Sequence, residues 1–251
     1  MSNFAPAAEA ATKVITFLAK CGQETGISEI SRGTEINKNM VFRILNSLEK
    51  EGWVYCNAQK YSLTLSLFKL ASMPISRLSL NTAALPVLYD LLNKTGESTY
   101  LGIINEDKVL YIQHLDGVKN VRVAGKVGCE YDLYCTAPGK VLLAYSDNEF
   151  IEKYTSRNFE KQTDNTMTKK PELLKEIDNI KKNGYATDKE EFGNGITCVA
   201  APIFNYTGKA VGVIGCSAFT FNKEFDEKIN ELLPSVLTAA NEISMRLGGK
   251  M

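Results

Sequence analysis

The sequence has one histidine, one tryptophan and no CxxC pair. A cysteine nucleophile such as Cys198 would have only His114 to draw on as a base, and His114 falls at the end of an expected strand. Nothing else in the chain suggests an enzyme. The six cysteines (Cys21, Cys56, Cys129, Cys135, Cys198, Cys216) are scattered, so reduced thiols are expected rather than a disulfide framework. Four of them, 129, 135, 198 and 216, are a conceivable zinc set because zinc accepts thiolates, but their spacing has no metal-site signature, and no metal is assigned. No apolar run approaches the roughly 18 residues that span a bilayer. The first twenty residues, with Glu9 and no long apolar block behind a basic start, do not resemble a secretion signal, so a cytoplasmic protein without membrane contact is expected.

The formal net charge is zero, which argues against a chain that coats nucleic acid indiscriminately. Residues 1–75 nonetheless carry eight Lys/Arg against six Asp/Glu, leaving 21 against 23 for the rest. A slightly basic head on a slightly acidic body suits a nucleic-acid reader whose cations are few and placed. The 251 residues allow two domains, and 44% hydrophobic with 23% charged residues is ordinary for a soluble globular protein.

The head reads as a winged helix-turn-helix. Residues 7–20 place Ala11, Val14, Ile15 and Leu18 on one helical stripe, stopped by Cys21-Gly22. A second helix is expected to open at Ile27-Ser28, with Ser28 capping Ser31, and to end near Gly33-Thr34. Asn37 suits the N-cap of a third helix, 38–51, which buries Val41, Ile44, Leu45 and Leu48. Lys38, Asn39, Met40 and Arg43 then share an outward face near its start, as needed by a helix that enters the major groove by its N-terminal half. Gly52 ends it, and 53–56 and 61–63 form a hairpin over 57–60, a wing from which Lys60 reaches phosphate or minor groove. Winged helices also serve protein contact, and the spacing alone leaves that alternative open.

Apolar residues at helical spacing over 63–73 lead to Pro74, and a helix at about 80–94 follows with Pro86 inside and Gly96 as its stop. The expected division is a winged helix-turn-helix at 1–73, a linker helix at 74–95 and an effector-binding and oligomerisation domain at 96–251. Beyond residue 96 the pattern turns to strands at 98–105, 108–114 and 121–124, then helices at 136–144 and 171–183. Strands at 197–204 and 210–218 and a last amphipathic helix through Phe225, Ile229, Leu232, Val236, Ala240 and Ile243 complete an α+β unit.

Four segments of this second half are distinctive: Leu133–Tyr145 (LYCTAPGKVLLAY), Gly184–Glu191 (GYATDKEE), Gly195–Ile203 (GITCVAAPI) and Gly208–Ser217 (GKAVGVIGCS). Together with Val41–Leu45 and Gly52–Val54 they resemble the IclR family of bacterial transcriptional regulators, over about residues 8–247. The recognition helix departs from the family by placing Asn39-Met40 where serine-threonine is common. The resemblance implies a GAF/profilin-like effector domain with an antiparallel sheet. It also implies operator DNA as one partner, a small metabolite as another, a homodimer or homotetramer, and repression as the mode of control.

Carried over by motif, the resemblance makes Leu133, Ala137, Pro138, Asp188, Ile196, Cys198, Gly215 and Ser217 the effector-binding residues. Ala137 and Pro138 would open a helix whose free amides favour an anion. Strand alternation puts Gly215 and Ser217 on one face with Cys216 opposite. This lining suits a small organic acid or hydroxylated metabolite, with Gly215 leaving room for more than a two-carbon acid. Tyr131 or Tyr134 is a further candidate hydroxyl. Asp188 either lines the pocket or caps a turn beside Lys189-Glu190-Glu191.

Overall fold

The computed structural model describes residues 5–67, 69–70, 79–220 and 225–250. Its contacts divide the chain into two compact units, Met1–Arg77 and Leu78–Met251. Among the described residues no helix is long and apolar enough to cross a membrane.

The first unit packs α1 (Pro6–Cys21), α2 (Ile27–Thr34) and α3 (Lys38–Lys50) against a small antiparallel sheet. Its strands, β1 (Thr25–Gly26), β2 (Val54–Asn57) and β3 (Lys60–Leu63), run in the order β1-β3-β2. Val14, Leu18, Ile30, Val41, Leu45, Val54 and Tyr61 form the core. The expected hairpin is present, with Ala58 and Gln59 both at positive φ in the two-residue turn whose twist suits paired strands. β1, which completes the sheet beside β3, was too short to carry a sequence pattern. The cap of α2 differs from expectation: Gly26, not Ser28, is the N-cap and no side chain caps the helix. Ser31 instead donates its hydroxyl to the Ile36 carbonyl at 2.6 Å, bracing the turn into α3.

The second unit is a sheet between two helical layers. β4 (Ser98–Asn105), β5 (Lys108–Leu115), β6 (Glu130–Asp132), β7 (Ala186–Lys189), β8 (Ile196–Phe204) and β9 (Ala210–Phe219) pair antiparallel in the order β6-β5-β4-β9-β8-β7. On one face lie α4 (Leu80–Thr95) and α8 (Phe225–Arg246), over Leu101, Val199, Ala201, Ile214 and Cys216. The other face carries α5 (Ala137–Ala144), α6 (Asn148–Thr155) and α7 (Lys170–Asn183), over Tyr100, Tyr111, Cys198, Ala200 and Val213. Period-two alternation therefore sends successive β8 residues into different cores.

Two expectations change here. The 121–124 stretch is not a strand; β5 takes β6 as its outer neighbour instead, through Val109 opposite Tyr131. The Ser98 hydroxyl donates to the Val123 carbonyl, which ties the intervening segment back without a ladder. The helix read as a separate linker packs as part of the second unit: α4 buries Ala83, Ala84, Val87, Leu88 and Leu91 in that unit's core. Pro74, with all of residues 71–78, lies outside the described residues. α6 and β7 were not read from the sequence.

Candidate functional site

Two surfaces bear on function, one in each unit. In the first, Asn37 caps α3 by accepting the Met40 amide at 2.9 Å. Val41, Ile44, Leu45 and Leu48 face the core, as their spacing requires. Lys38, Asn39 and Arg43 are exposed, and so is Lys60 at the start of β3. Met40 is not: it is half-buried and packs against the core, because its position on the helix turns it towards Ile44 rather than outward. A groove beside α1 is lined by Ala7, Ala11, Asn39, Met40, Arg43 and Ser47. Sequence reasoning passed over Phe42 and Asn46, which are exposed beside Asn39 and Arg43.

In the second unit, register brings the expected effector residues together. Asp188 on β7 pairs with Cys198 on β8, and Cys198 pairs with Ser217 on β9. The three side chains make one row across three strands, with Cys198 Sγ 3.1 Å from Ser217 Oγ. Ile196 lies two residues along β8 and is half-buried against the same core. Leu133, Ala137 and Pro138 at the entry to α5 are buried over this face. Cys216 points into the opposite core, as alternation predicts. That separation from Cys198 divides the four cysteines considered for zinc. Among the described residues no group of three or more His, Cys, Asp or Glu is placed to hold a metal.

The electrostatics centre on a cluster the sequence did not suggest. Lys140, within the APGK segment, has no exposed surface and donates to both Glu191 oxygens at 2.6 and 2.7 Å. Glu176 on α7 stands 3.7 Å from the same ammonium. Burial holds the Glu191 carboxyl above the usual range, outweighing the attraction of Lys140. Asp188 accepts the Glu191 amide at 2.6 Å through one oxygen, so it does close a turn. Its second oxygen, Oδ2, is buried and has no hydrogen-bond partner among the described residues. Desolvation, then repulsion from Glu191, raise Asp188 to about 7. Burial likewise drives the Cys198 thiol well above its usual value, and Cys135 to about 12, so neither is an activated nucleophile. Burial lowers His114, which lies 3.6 Å from Asp116.

Other local expectations are corrected by the packing. Gly215 does not leave room for ligand: a Cβ there would run into the Val199 carbonyl and the Tyr100 hydroxyl. Tyr100, fully buried, lies over that position and donates to Val199 O at 3.3 Å. Its ring stacks on Tyr111 at 4.8 Å, and Tyr111 in turn packs on Tyr131 at 4.7 Å. Tyr131 therefore joins the sheet face, whereas the hydroxyl of Tyr134, buried in the same core, is taken up by the Glu160 carbonyl, to which it donates at 2.7 Å. The opening turn of α5 offers less to an anion than expected. Thr136 accepts the Gly139 amide through Oγ1 and the Lys140 amide through its carbonyl, and Pro138 has no amide. At most the Thr136 and Ala137 amides remain.

Comparison with known proteins bears on both units. Residues 7–57 match the model of the IclR helix-turn-helix domain, and residues 73–245 that of the bacterial transcriptional regulator IclR C-terminal domain. The HTH-type transcriptional regulator KdgR of Escherichia coli K12 is 32% identical over 241 residues, covering 94% of this chain and 91% of its own. The DNA-binding transcriptional repressor YiaJ of the same organism is 30% identical, over 88% of this chain and 80% of its own. A crystal structure of a putative IclR regulator from Silicibacter sp. superposes with a TM-score of 0.83 at 23% identity, covering 98% and 97% of the two chains. The family consists of DNA-binding regulators with small-molecule effector domains, not enzymes, and it does not favour the protein-contact reading of the winged helix. This chain belongs to the IclR family of bacterial transcriptional regulators.

Proposed function

We propose that this DNA-binding transcriptional regulator is a cytoplasmic repressor controlled by a small metabolite held over the β7–β8–β9 face. In this reading Lys38, Asn39 and Arg43 of α3 contact DNA, Met40 supports the helix from behind, and Lys60 of the wing meets phosphate. The observation that carries the sensor half is Asp188 Oδ2, a buried carboxylate oxygen with no hydrogen-bond partner among the described residues, beside Cys198 and Ser217. A buried acceptor left unpaired costs about 1–3 kcal/mol, and a ligand hydroxyl that donates to it recovers that cost. Leu133, Ala137, Pro138 and Ile196 cover the carbon skeleton, and Ser217 supplies a hydroxyl. Gly215 contributes by admitting Tyr100. This lining favours a hydroxylated organic acid over a bare carboxylate, because Asp188 in its ionised form asks the ligand for a donor while at most two amides at the start of α5 are offered to its anionic end.

One recognition helix reads too short a site for specificity, so the chain acts as a homodimer or homotetramer that duplicates it. Effector changes DNA affinity only as far as it binds one conformation better, and a coupling of about 1–3 kcal/mol suffices for a switch.

The test is fluorescence anisotropy of the full chain on DNA from upstream of its own and neighbouring genes, with scrambled competitor. Saturable, competitor-resistant binding that hydroxylated acids weaken is expected. Arg43→Ala should remove the DNA affinity and spare effector binding. Equal loss of both would mean that the roles of the two units are misassigned.

A further inference from the structure

We propose that Phe42 is a base-reading residue, an apolar contact for the 5-methyl group of thymine. The inference rests on α3 being the helix that enters the major groove. Every other apolar side chain of α3 is covered: Val41, Ile44, Leu45 and Leu48 are buried, and Met40 is half-buried against the core. Phe42 alone among them is exposed, at 48% of its surface. Residues three and four apart on a helix are neighbours, so Asn39, Phe42, Arg43 and Asn46 form one contiguous patch, all of it exposed. A large ring with about half its surface in water returns less to the fold of the unit than a buried one, and its surroundings are polar groups that suit base edges.

The chemistry of the patch is coherent. In the major groove an A·T pair presents adenine N6 and N7, which an asparagine side chain pairs bidentately, and the thymine C5-methyl, which takes only an apolar contact. Asn39, one turn before Phe42, has the amide for the first, and Phe42 has the ring for the second. Arg43 adds the fork that suits guanine or phosphate. The patch therefore reads a short element containing A·T pairs, with a methyl-dependent part that hydrogen bonding alone does not supply.

Thymine and uracil differ only by that methyl, which gives the experiment. A duplex enriched from random-sequence DNA by the full-length protein is remade with each thymine replaced in turn by deoxyuridine, and affinities are measured by anisotropy. One or two positions are expected to weaken wild-type binding, by about fourfold for each methyl contacted, the transfer value of one buried carbon group. Phe42→Ala should bind the unmodified duplex more weakly and be indifferent to uracil at those positions, while Phe42→Leu keeps part of the discrimination. Unchanged thermal unfolding of both variants confirms that the unit is intact. Three outcomes overturn the proposal: silent substitution at every thymine, equal uracil penalties for wild type and Phe42→Ala, or a change in oligomeric state of Phe42→Ala with DNA affinity intact. Arg43→Ala on the same duplex separates the two readings. If it binds as wild type, the helix assignment itself fails. If it loses binding while uracil is silent throughout, α3 reads DNA and Phe42 does not read the methyl.

Discussion

Replacing Lys140 by methionine should destabilise the second unit by about 3–5 kcal/mol, the usual cost of leaving one member of a buried ion pair without its partner. Lys140 has no exposed surface, and its ammonium is the group facing both Glu191 oxygens. Glu176 is partly exposed, so water takes over its solvation, whereas Glu191 has nothing to replace the lysine. For a domain of this size a loss of 1 kcal/mol lowers the unfolding midpoint by roughly 2–4 °C, so the transition of this unit should fall by roughly 6–20 °C. The defect should depend on pH. Glu191 already has a raised folded-state pKa, and removal of Lys140 raises it further. A carboxyl raised on folding stabilises below its unfolded value of 4.5 and loses that contribution as pH rises through the folded value. The deficit of Lys140→Met is therefore smallest in acid and largest near neutral pH. Lys140→Met with Glu191→Met removes both charges and should recover most of the loss, since replacing a buried pair by apolar groups is close to neutral. Guanidinium unfolding followed by far-ultraviolet circular dichroism, at about pH 5 and about pH 7.5, measures all three quantities. A single-variant cost under about 1 kcal/mol at the higher pH, or a double variant no more stable than the single one, would refute the reasoning.

Asp188→Asn should abolish the effector response and flatten the pH dependence of stability. With its value raised to about 7, Asp188 contributes stability that is present below about 3.8 and lost as pH rises towards 7, so the slope in that window should shrink in the variant. A slope unchanged from wild type would show that Asp188 ionises normally. Gly139→Ala places a Cβ against Leu133 Cα and the Asp132 carbonyl, both backbone, and should cost about 1–3 kcal/mol or more by thermal unfolding; a neutral result would mean the turn into α5 yields easily. Asn37→Ala removes the α3 cap and should cost the first unit about 1 kcal/mol, with weaker DNA binding following from a frayed helix start. Asn37→Asp should keep the stability, and if it does not, the cap is not what Asn37 provides.

What was legible in the sequence is what local backbone chemistry decides. The Asn37 cap and the left-handed stops at Gly22, Gly96 and Gly184 each act within a turn or two of chain, and the structure has them where the residues indicate. Apolar period likewise identified the buried face of α3 and the long strands β8 and β9, and alternation put Ser217 and Cys216 on opposite sides. Motif resemblance, not local pattern, pointed to Asp188, Cys198 and Ser217 as a set. Their alignment in one row follows from the register of β7, β8 and β9.

Tertiary structure alone decided the rest, because those choices depend on groups distant in the chain. A lysine in a helical segment reads as a surface residue; Lys140 is buried because Glu191, 51 residues away, meets it there. A glycine in a strand reads as space; at Gly215 the neighbouring strand fills that space with the Tyr100 ring. The same holds for 121–124, whose β-forming residues lose the sheet edge to Glu130–Asp132, and for α4, whose apolar stripe fits a core and a connector equally well until α8 packs against it. Periodicity states that a face is to be buried, and only the competition among partners in the folded chain determines what buries it.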